Sequence, residues 1–390
     1  MTTKIRMYHC GFGDCYRLTD KNAKHLYVDF GIHRHCPNID GWKQKQYAFI
    51  IDDMPSHADF LLTHYHYDHY AGLNYMIEHR KYRFQNVYIP DIWKISNRLQ
   101  VVHLFLYKDL LSKTVLHNGR SFISFLILIC HCYGNIFFIK RNEQIQNDYI
   151  ALWPSEDFVN KAANKLHKRL SINELPFYAQ LDNIANQLCA LMSEIGEEPN
   201  EFVDMETQIA ESKSISRLQT IGIFKQLEQQ LIELAKDIKV NKAHQIKLGE
   251  FAHTINIIFH NKDLSEQNIL FTGDADNSNN MWDMIIHNED CKIPFHPYYD
   301  VIKLPHHGTK SHYYDFTNIV NDNSIFLIPN GYIRRWPIAR QYAMDANEKA
   351  IKVICAHHNA CMSSHPTCQC KKHRCIYPQR YTDIIKMVRF

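Results

Sequence analysis

Short apolar runs that end in polar residues alternate along this chain with one long stretch of helical periodicity. Apolar runs precede the histidine-rich residues 63–69, the Gly-Asp pair at 273–274 and the His-His pair at 306–307. Runs of this length, bounded by turn residues, predict buried β-strands. At 177–195 and 227–238 the apolar positions recur instead at helical spacing, which predicts amphipathic helices. The pattern therefore predicts a mixed α and β protein that contains a helical insertion.

The predicted helical insertion covers residues 155–249. Ser155 follows Pro154 and is a suitable N-cap for a helix that runs to about Leu170. An acidic stretch with Pro199 separates the two periodic runs and predicts a loop. Such an insertion can serve as a lid, a dimerisation arm or a dock for a protein partner, or it can simply cover exposed sheet. The sequence leaves these alternatives open.

An uncharged run at 121–139, between Arg120 and Lys140, is the one segment that raises the question of a membrane span. Its 19 residues are almost enough to cross a bilayer. His131 and a Gly-Asn pair at 134–135 interrupt it, and it is rich in Ile and Phe. These features favour two buried strands joined by a turn over a transmembrane helix. We therefore expect no stable membrane insertion.

Composition is that of a globular protein with a full core: 390 residues, 45% hydrophobic and 22% charged. The first residues lack the apolar segment of a secretory signal, so the 12 cysteines are expected to be reduced in a cytoplasmic protein. The net charge of +3 does not make the whole chain a polyanion binder. Residues 331–390, however, hold 11 Lys and Arg against 3 Asp and Glu, and such a basic segment can attract phosphates.

The run His-Tyr-His-Tyr-Asp-His at 64–69 is the strongest chemical signal. Two histidines spaced by two on a strand point to the same face, and together they can bind one metal ion. If the strand then turns into a helix, with Gly72 permitting a close turn, Asp68 and His69 swing towards a second ion. Asp274, at the end of a predicted strand, can bridge two cations with its two oxygens.

These motifs resemble the metallo-β-lactamase superfamily, and most closely the soluble hydrolase domain of ComEC-type competence proteins. Residues 64–69 resemble the signature of the superfamily. The resemblance extends over residues 1–154 and about 251–340. Four further elements resemble that subgroup: 8–14 (YHCGFGD), 27–31 (YVDFG), 150–154 (IALWP) and 304–309 (LPHHGT), with Thr309 in place of Ser.

The resemblance implies an α+β fold, a four-layer αββα sandwich with metals at one edge of the two sheets. It divides the chain into an N-terminal half (1–154), the helical insertion (155–249), a C-terminal half (250–340) and a basic, Cys/His-rich tail (341–390). Soluble relatives of the subgroup occur in bacterial genome-defence operons, so the resemblance also implies an antiphage role.

The resemblance also implies two divalent metal ions, Zn or Mn, and a set of ligands. One ion would be bound by His64 and His66, the other by Asp68, His69 and His306, with Asp274 bridging. Many superfamily members supply a third histidine to the first ion from a loop between the two halves. The candidates for it in this chain are His103, His117 and His131, and none has a convincing sequence context.

A metal-activated water would then hydrolyse a phosphodiester. Asp68 and Asp274 would orient this water, and His307 would donate a proton to the leaving oxygen or hold a phosphate. Flanking phosphates would be bound by Lys303, Lys310, Arg334 and Arg335. The expected function is a metal-dependent phosphodiesterase or nuclease acting on nucleic acid. The alternatives are a metallo-hydrolase of a small thioester, lactam or cyclic nucleotide, and a non-catalytic scaffold.

A second group of potential metal ligands lies in the tail. Thiolates and imidazoles at short spacings suit tetrahedral zinc, so the tail is expected to bind a structural zinc ion apart from the active site. Free thiols in a loop are the alternative. The expected zinc ligands are Cys355, Cys361, Cys368, Cys370, Cys375 and His373.

Overall fold

The protein is described by a computed structural model of the 390-residue chain. The structure describes residues 3–33, 41–79, 82–112, 116, 118–196, 208–263, 267–276, 281–287, 292, 294–329, 338–355 and 381–384. Within these residues the fold is mixed α and β, with two mixed sheets and ten helices. This agrees with the expected α+β class.

Fourteen strands form two sheets of seven strands each. The first sheet has the order β14-β1-β2-β3-β4-β5-β6 and the second β13-β12-β11-β10-β9-β8-β7. The strands are β1 (Lys4–Tyr8), β2 (Tyr16–Thr19), β3 (His25–Val28), β4 (Asp59–Leu61), β5 (Phe84–Pro90), β6 (Tyr133–Ile139), β7 (Gln144–Ile145), β8 (Tyr149–Trp153), β9 (Ile258–Asn261), β10 (Ile269–Phe271), β11 (Tyr299–Lys303), β12 (Val320–Ile328), β13 (Lys352–Cys355) and β14 (Tyr381–Ile384).

The helices lie outside the two sheets. They are α1 (Trp42–Asp52), α2 (Tyr67–His79), α3 (Arg98–Leu111), α4 (Phe122–Cys132), α5 (Glu156–Arg169), α6 (Tyr178–Gly196), α7 (Gln208–Ala235), α8 (Lys242–Thr254), α9 (Met281–Ile286) and α10 (Arg340–Glu348).

The sheets pack face to face through one apolar cluster to which both contribute. Met7 and Val28 of the first sheet share this cluster with Phe259 and Phe271 of the second. A second cluster joins the outer face of the first sheet to helices α1 to α8, and a third joins the outer face of the second sheet to α9 and α10. The layers are therefore helix, sheet, sheet, helix.

The helices expected in the insertion are confirmed. α5 begins directly after Ser155, which occupies the N-cap position, and ends at Arg169. α6 and α7 coincide with the two periodic runs and bury their apolar stripes in the first helical layer. The predicted loop between them falls mainly on residues 197–207, outside the described residues. The division of the chain into halves, insertion and tail stays a prediction.

The strand prediction for residues 121–139 was wrong in its first half. This run forms helix α4 followed by strand β6, so the 134–135 pair lies inside a strand and not in a turn. An apolar run buried on all sides does not show whether it is helix or strand. Asp109 accepts a hydrogen bond from the Phe122 amide and so caps the start of α4. Among the described residues, no helix has the length and apolar character needed to cross a membrane.

Candidate metal centre

The candidate centre lies where a pair of parallel strands in each sheet ends. β3 and β4 are parallel neighbours in the first sheet, and β10 and β11 are parallel neighbours in the second. Because carboxyl ends of parallel neighbours share one sheet edge, the segments that follow them are brought together. Those segments carry Asp29, His64, Asp274, His306 and His307.

The segment after β4 forms the predicted histidine-rich turn. His64 and His66 lie in a loop, not in the strand itself, and their ring centroids are 4.6 Å apart. Helix α2 begins at Tyr67, as the sequence predicts, and carries Asp68 and His69 in its first turn. The His64 and His69 rings are 4.1 Å apart, so the two ends of the motif meet.

The segments after β10 and β11 have unusual backbone conformations. Gly273 has a φ of +50°, and a β-carbon there would overlap the side-chain amide of Asn256. That amide oxygen accepts a hydrogen bond from the Asp274 backbone nitrogen at 2.9 Å. His306 and His307 have φ values of +45° and +57°, a region costly for residues with a β-carbon. Such strain is typical of functional segments held by their surroundings.

Four imidazoles converge on one carboxylate oxygen, Oδ2 of Asp274. The distances from their Nε2 atoms to this oxygen are 3.3 Å for His69, 3.5 Å for His307, 3.7 Å for His306 and 3.8 Å for His64. All four exceed the roughly 2.7–3.2 Å of ordinary N–H···O hydrogen bonds. Nitrogen and oxygen ligands about 2.0–2.2 Å from a tetrahedral ion lie roughly 3.3–3.6 Å apart. The spacing therefore suits ligands that face a shared cation.

Several of these ring nitrogens have no hydrogen-bond partner within the described part of the chain, although they are fully buried. They are Nε2 of His64, Nε2 of His69 and both ring nitrogens of His307. A buried polar atom without a partner costs about 1–3 kcal/mol. Divalent metal ions would satisfy these atoms, so the side chains fit a metal centre.

His253 is a functional candidate that the sequence analysis missed. It lies near the end of α8, and its ligand atoms can meet those of His64 and His66, or those of Asp274 and His306, around one ion. Its Nε2 is 3.1 Å from Nδ1 of His66. The only signal in the sequence is its place shortly before the apolar strand β9, which pairs with β10.

We call His64, His66 and His253 the first group, and their imidazoles are held in the neutral, metal-binding form. Burial, followed by the charges of neighbouring groups, lowers the pKa of His64, His66 and His253 well below 6.5. His69 differs: burial opposes protonation, but Asp274 and further carboxylates outweigh it and raise its pKa. The carboxylates thus create a strong local preference for positive charge at His69.

Asp29, from the predicted motif at 27–31, orients His69. Its Oδ2 accepts hydrogen bonds from the Thr63 hydroxyl and from Nδ1 of His69, both at 2.8 Å. This directs the opposite nitrogen of His69 towards Asp274, as carboxylates behind metal-binding histidines commonly do. A β-carbon at Gly31 would overlap the backbone of Asp68, so this motif also lets α2 approach closely.

Gly72 has a different role from the one expected. It lies inside α2 and not in the turn before it. A β-carbon at Gly72 would press on the ring of Phe30, and its amide donates a hydrogen bond to the Phe30 carbonyl at 2.7 Å. Gly72 therefore permits close packing of the helix on the 27–31 motif.

Lys303 does not lie where a phosphate contact was expected. It is 1% exposed, and its Nζ is 2.8 Å from Oδ2 of Asp14 and 3.4 Å from Oδ1 of Asp274. It also donates a hydrogen bond to the Gly273 carbonyl. The ammonium group is thus enclosed and neutralised behind the site. Asp14 in turn lies 3.8 Å from Nδ1 of His307, which places it behind that imidazole.

Comparison with protein-family models, curated proteins and solved structures finds no match. The case for a metal centre therefore rests on the geometry and charge of its side chains. Buried His and Asp groups here could hold a metal ion; membership of the metallo-β-lactamase superfamily stays a prediction.

The structure regroups the expected ligands. His307, and not His306, comes together with His69 and Asp274, with Asp14 as the fourth member of that group. His306 instead lies close to His253, a member of the first group, and to Asp274. His307 is fully buried, which differs from the expected role of a proton donor to a leaving group. The carboxylate of Asp68 is 3.7 Å from Nε2 of His307 and is 16% exposed.

The remaining expected residues lie elsewhere. His103 is buried against His167 and Asp182, at 3.2 Å and 3.1 Å, and His131 lies on α4; neither joins the candidate centre. Lys310 is exposed just after the histidine pair. Cys355 ends β13. The remaining expected site residues lie outside the described part of the chain. They are His117, Arg334, Arg335, Cys361, Cys368, Cys370, His373 and Cys375.

Proposed function

We propose that this protein is a metal-dependent phosphodiesterase that hydrolyses nucleic acid, built on the metallo-β-lactamase sandwich that its motifs resemble. The observation that carries the proposal is the convergence of four imidazole nitrogens on Oδ2 of Asp274. The helix-sheet-sheet-helix layers, with the candidate centre at one edge of both sheets, support the fold assignment.

We further propose that two divalent ions, Zn or Mn, are bound. His64, His66 and His253 would hold one, His69 and His307 the other, and Asp274 would be shared. Such ions supply Lewis acidity, which lowers the pKa of water and neutralises charge on a phosphoryl group.

Asp68 is the carboxylate best placed to orient a water nucleophile. Its side chain is 16% exposed, whereas Asp14, Asp29 and Asp274 are fully buried. Burial would raise its pKa, but contact with His307 and the charges of His69 and other imidazoles hold that pKa well below its usual range. Asp68 is therefore ionised at neutral pH and can accept a hydrogen bond from water.

His312 can take over the substrate-holding role that was expected of His307. It is partly exposed, and its ring stacks on that of His306 with centroids 3.9 Å apart. The hydroxyl of Ser311 is 2.8 Å from its Nδ1. A hydrogen bond donated to Nδ1 leaves the proton of the neutral ring on Nε2, where it can be donated to a phosphoryl oxygen.

The test is incubation of the purified protein with Mn²⁺ or Zn²⁺ and labelled single-stranded and double-stranded DNA and RNA. We expect cleavage that requires metal and is abolished in Asp274→Asn and in Asp68→Ala. Metal-loaded protein that cleaves no nucleic acid, yet opens a thioester or lactam briskly, would show that the small-molecule alternative is correct.

A further inference from the structure

Two cationic side chains lie over the ring of a tyrosine beside the candidate centre. Tyr67 is the first residue of α2 and directly precedes Asp68. The guanidinium carbon of Arg120 lies 4.5 Å from the centroid of its ring, and Nζ of Lys43 lies 5.8 Å from it. Both distances are within the range of cation–π attraction. Arg120 is therefore held over the face of this ring, and Lys43 lies between the rings of Tyr67 and Tyr47 and donates a hydrogen bond to the Ile32 carbonyl at 3.2 Å.

Arg120 is bonded differently from the arginines that stabilise the fold. Arg6 and Arg17 lie within 2.8 Å and 3.1 Å of the carboxylate of Asp53. By contrast, Arg120 forms no ion pair with a carboxylate among the residues that the structure describes, although its Nε, like that of Arg17, is buried without a hydrogen-bond partner there. The guanidinium is therefore positioned by stacking on Tyr67, and its hydrogen-bonding capacity is not used by the described fold at this nitrogen.

We call Lys43, Tyr67 and Arg120 the cationic strip. The positive end of the α2 dipole adds to its field. The strip differs from the phosphate contacts expected from the sequence, because it lies on the N-terminal part of the chain, beside α2. Its cations lie beside the residue that precedes the partly exposed Asp68.

We propose that the cationic strip binds the backbone phosphates of a nucleic acid strand as it enters the candidate centre. This inference rests on the proposed function and adds the surface that holds the substrate. A phosphate would supply the negative charge that no described carboxylate supplies to Arg120, and a planar guanidinium suits phosphate oxygens. Tyr67 would keep Arg120 and Lys43 extended between binding events, which reduces the entropy lost on binding.

The test is equilibrium binding of fluorescent single-stranded DNA and RNA over a salt series, in an Asp274→Asn background that prevents cleavage. Arg120→Gln and Lys43→Gln should each raise Kd several-fold. Each should also reduce the slope of log K against log salt by roughly 0.7, the value for one lost contact to a single strand. Arg120→Lys should keep the slope, because it keeps the charge.

Lys24→Gln is the matched control. Lys24 is exposed in the β2–β3 turn, at the opposite end of β3 from Asp29, so its loss should leave the slope unchanged. If the strip variants behave like this control while the parent protein binds, the strip is wrong and the proposed function stands. If the parent binds neither strand at low salt, the strip and the nucleic acid substrate are both wrong. Should Arg120→Gln fail to fold by circular dichroism, Lys43→Gln decides the outcome.

Discussion

Replacing His253 by alanine is expected to weaken metal binding strongly, because in the proposed centre His253 would supply the third imidazole beside His64 and His66. Four-ligand zinc sites bind with about 10–16 kcal/mol, or roughly 2.5–4 kcal/mol for each ligand. Since about 1.4 kcal/mol corresponds to a factor of ten, the Kd of the weakened ion should rise by roughly a hundredfold or more. The ion held by His69 and His307 should be affected less.

The assay is competition for Zn²⁺ between the protein and a chromogenic chelator, with the melting temperature of the metal-free protein measured in parallel. His260→Ala is the matched control. His260 is buried like His253, at 0% against 8% exposed, stacks on His296 with ring centroids 4.1 Å apart, and belongs to none of the candidate metal groups found among the described residues. It should lose similar stability and no metal affinity. Equal metal affinity in His253→Ala and the wild type would refute the assignment, as would an equal loss in His260→Ala.

Three further predictions follow from the same contacts. Asp29→Asn should reduce metal affinity about 10–100-fold, as measured by the same competition, because the hydrogen bond that orients His69 weakens; unchanged affinity would contradict this role. Asp274→Asn should abolish cleavage while altering the melting temperature of the metal-free protein far less, and the reverse pattern would argue for a structural role. Burial and the neighbouring His296 lower the pKa of His260 to about 3, so the unfolded chain binds the proton more readily and stability falls as pH drops below about 6.5. His260→Phe should remove about 2 kcal/mol of the stability lost between pH 7 and pH 5, measured by urea unfolding; an unchanged difference would refute this.

The parts of the centre that follow strands could be predicted from local sequence. Residues 64–69, 273–274 and 306–307 each come after an apolar run, and polar side chains at neighbouring strand ends meet at one edge of a sheet. The start of α2 at Tyr67 was predicted correctly for the same reason, since Asp68 and His69 fall where a helix would turn them inward. Local pattern is sufficient when the strand itself directs the side chain.

The third histidine could not be predicted in this way. His253 meets His66 across 187 residues of chain, and its position depends on how α8 packs against the helical layer. Its own neighbours in the sequence carry no metal-site motif. The three histidines proposed from the sequence were chosen for their place between the two halves of the motif set, and packing directs His103 to His167 instead. Long-range packing decides such a ligand, and a local pattern does not contain it.

Lys303 was misinterpreted because a lysine side chain is normally exposed to solvent, where it can bind a phosphate. Its position within the otherwise apolar run of β11 was the available signal, since a charge inside a buried strand requires a partner. That partner is Asp14, nearly 300 residues earlier in the chain, at 2.8 Å. The sequence does not show that these two residues form an ion pair, because they are far apart in the chain. Neither residue alone reveals that the lysine is buried.

Removing the metal should destabilise the whole protein, because the centre gathers more negative than positive groups. Asp14, Asp29 and Asp274 are buried and Asp68 is nearly so, while Lys303 and a protonated His69 are the positive groups in contact with them within the described residues. Divalent cations would relieve this repulsion and satisfy the buried imidazoles. An ion at a hundred times its Kd stabilises the folded state by about 2.7 kcal/mol.

Thermal unfolding with and without a chelator tests this directly. The melting temperature should fall on chelation and recover when Zn²⁺ or Mn²⁺ is added back in excess. His253→Ala should show a smaller recovery than the wild type at the same metal concentration, because a weaker Kd gives less stabilisation, whereas His260→Ala should recover by the full amount. A melting temperature that changes with neither chelator nor metal would mean that the buried carboxylates are stable without any ion. That result would refute the assignment of a metal centre.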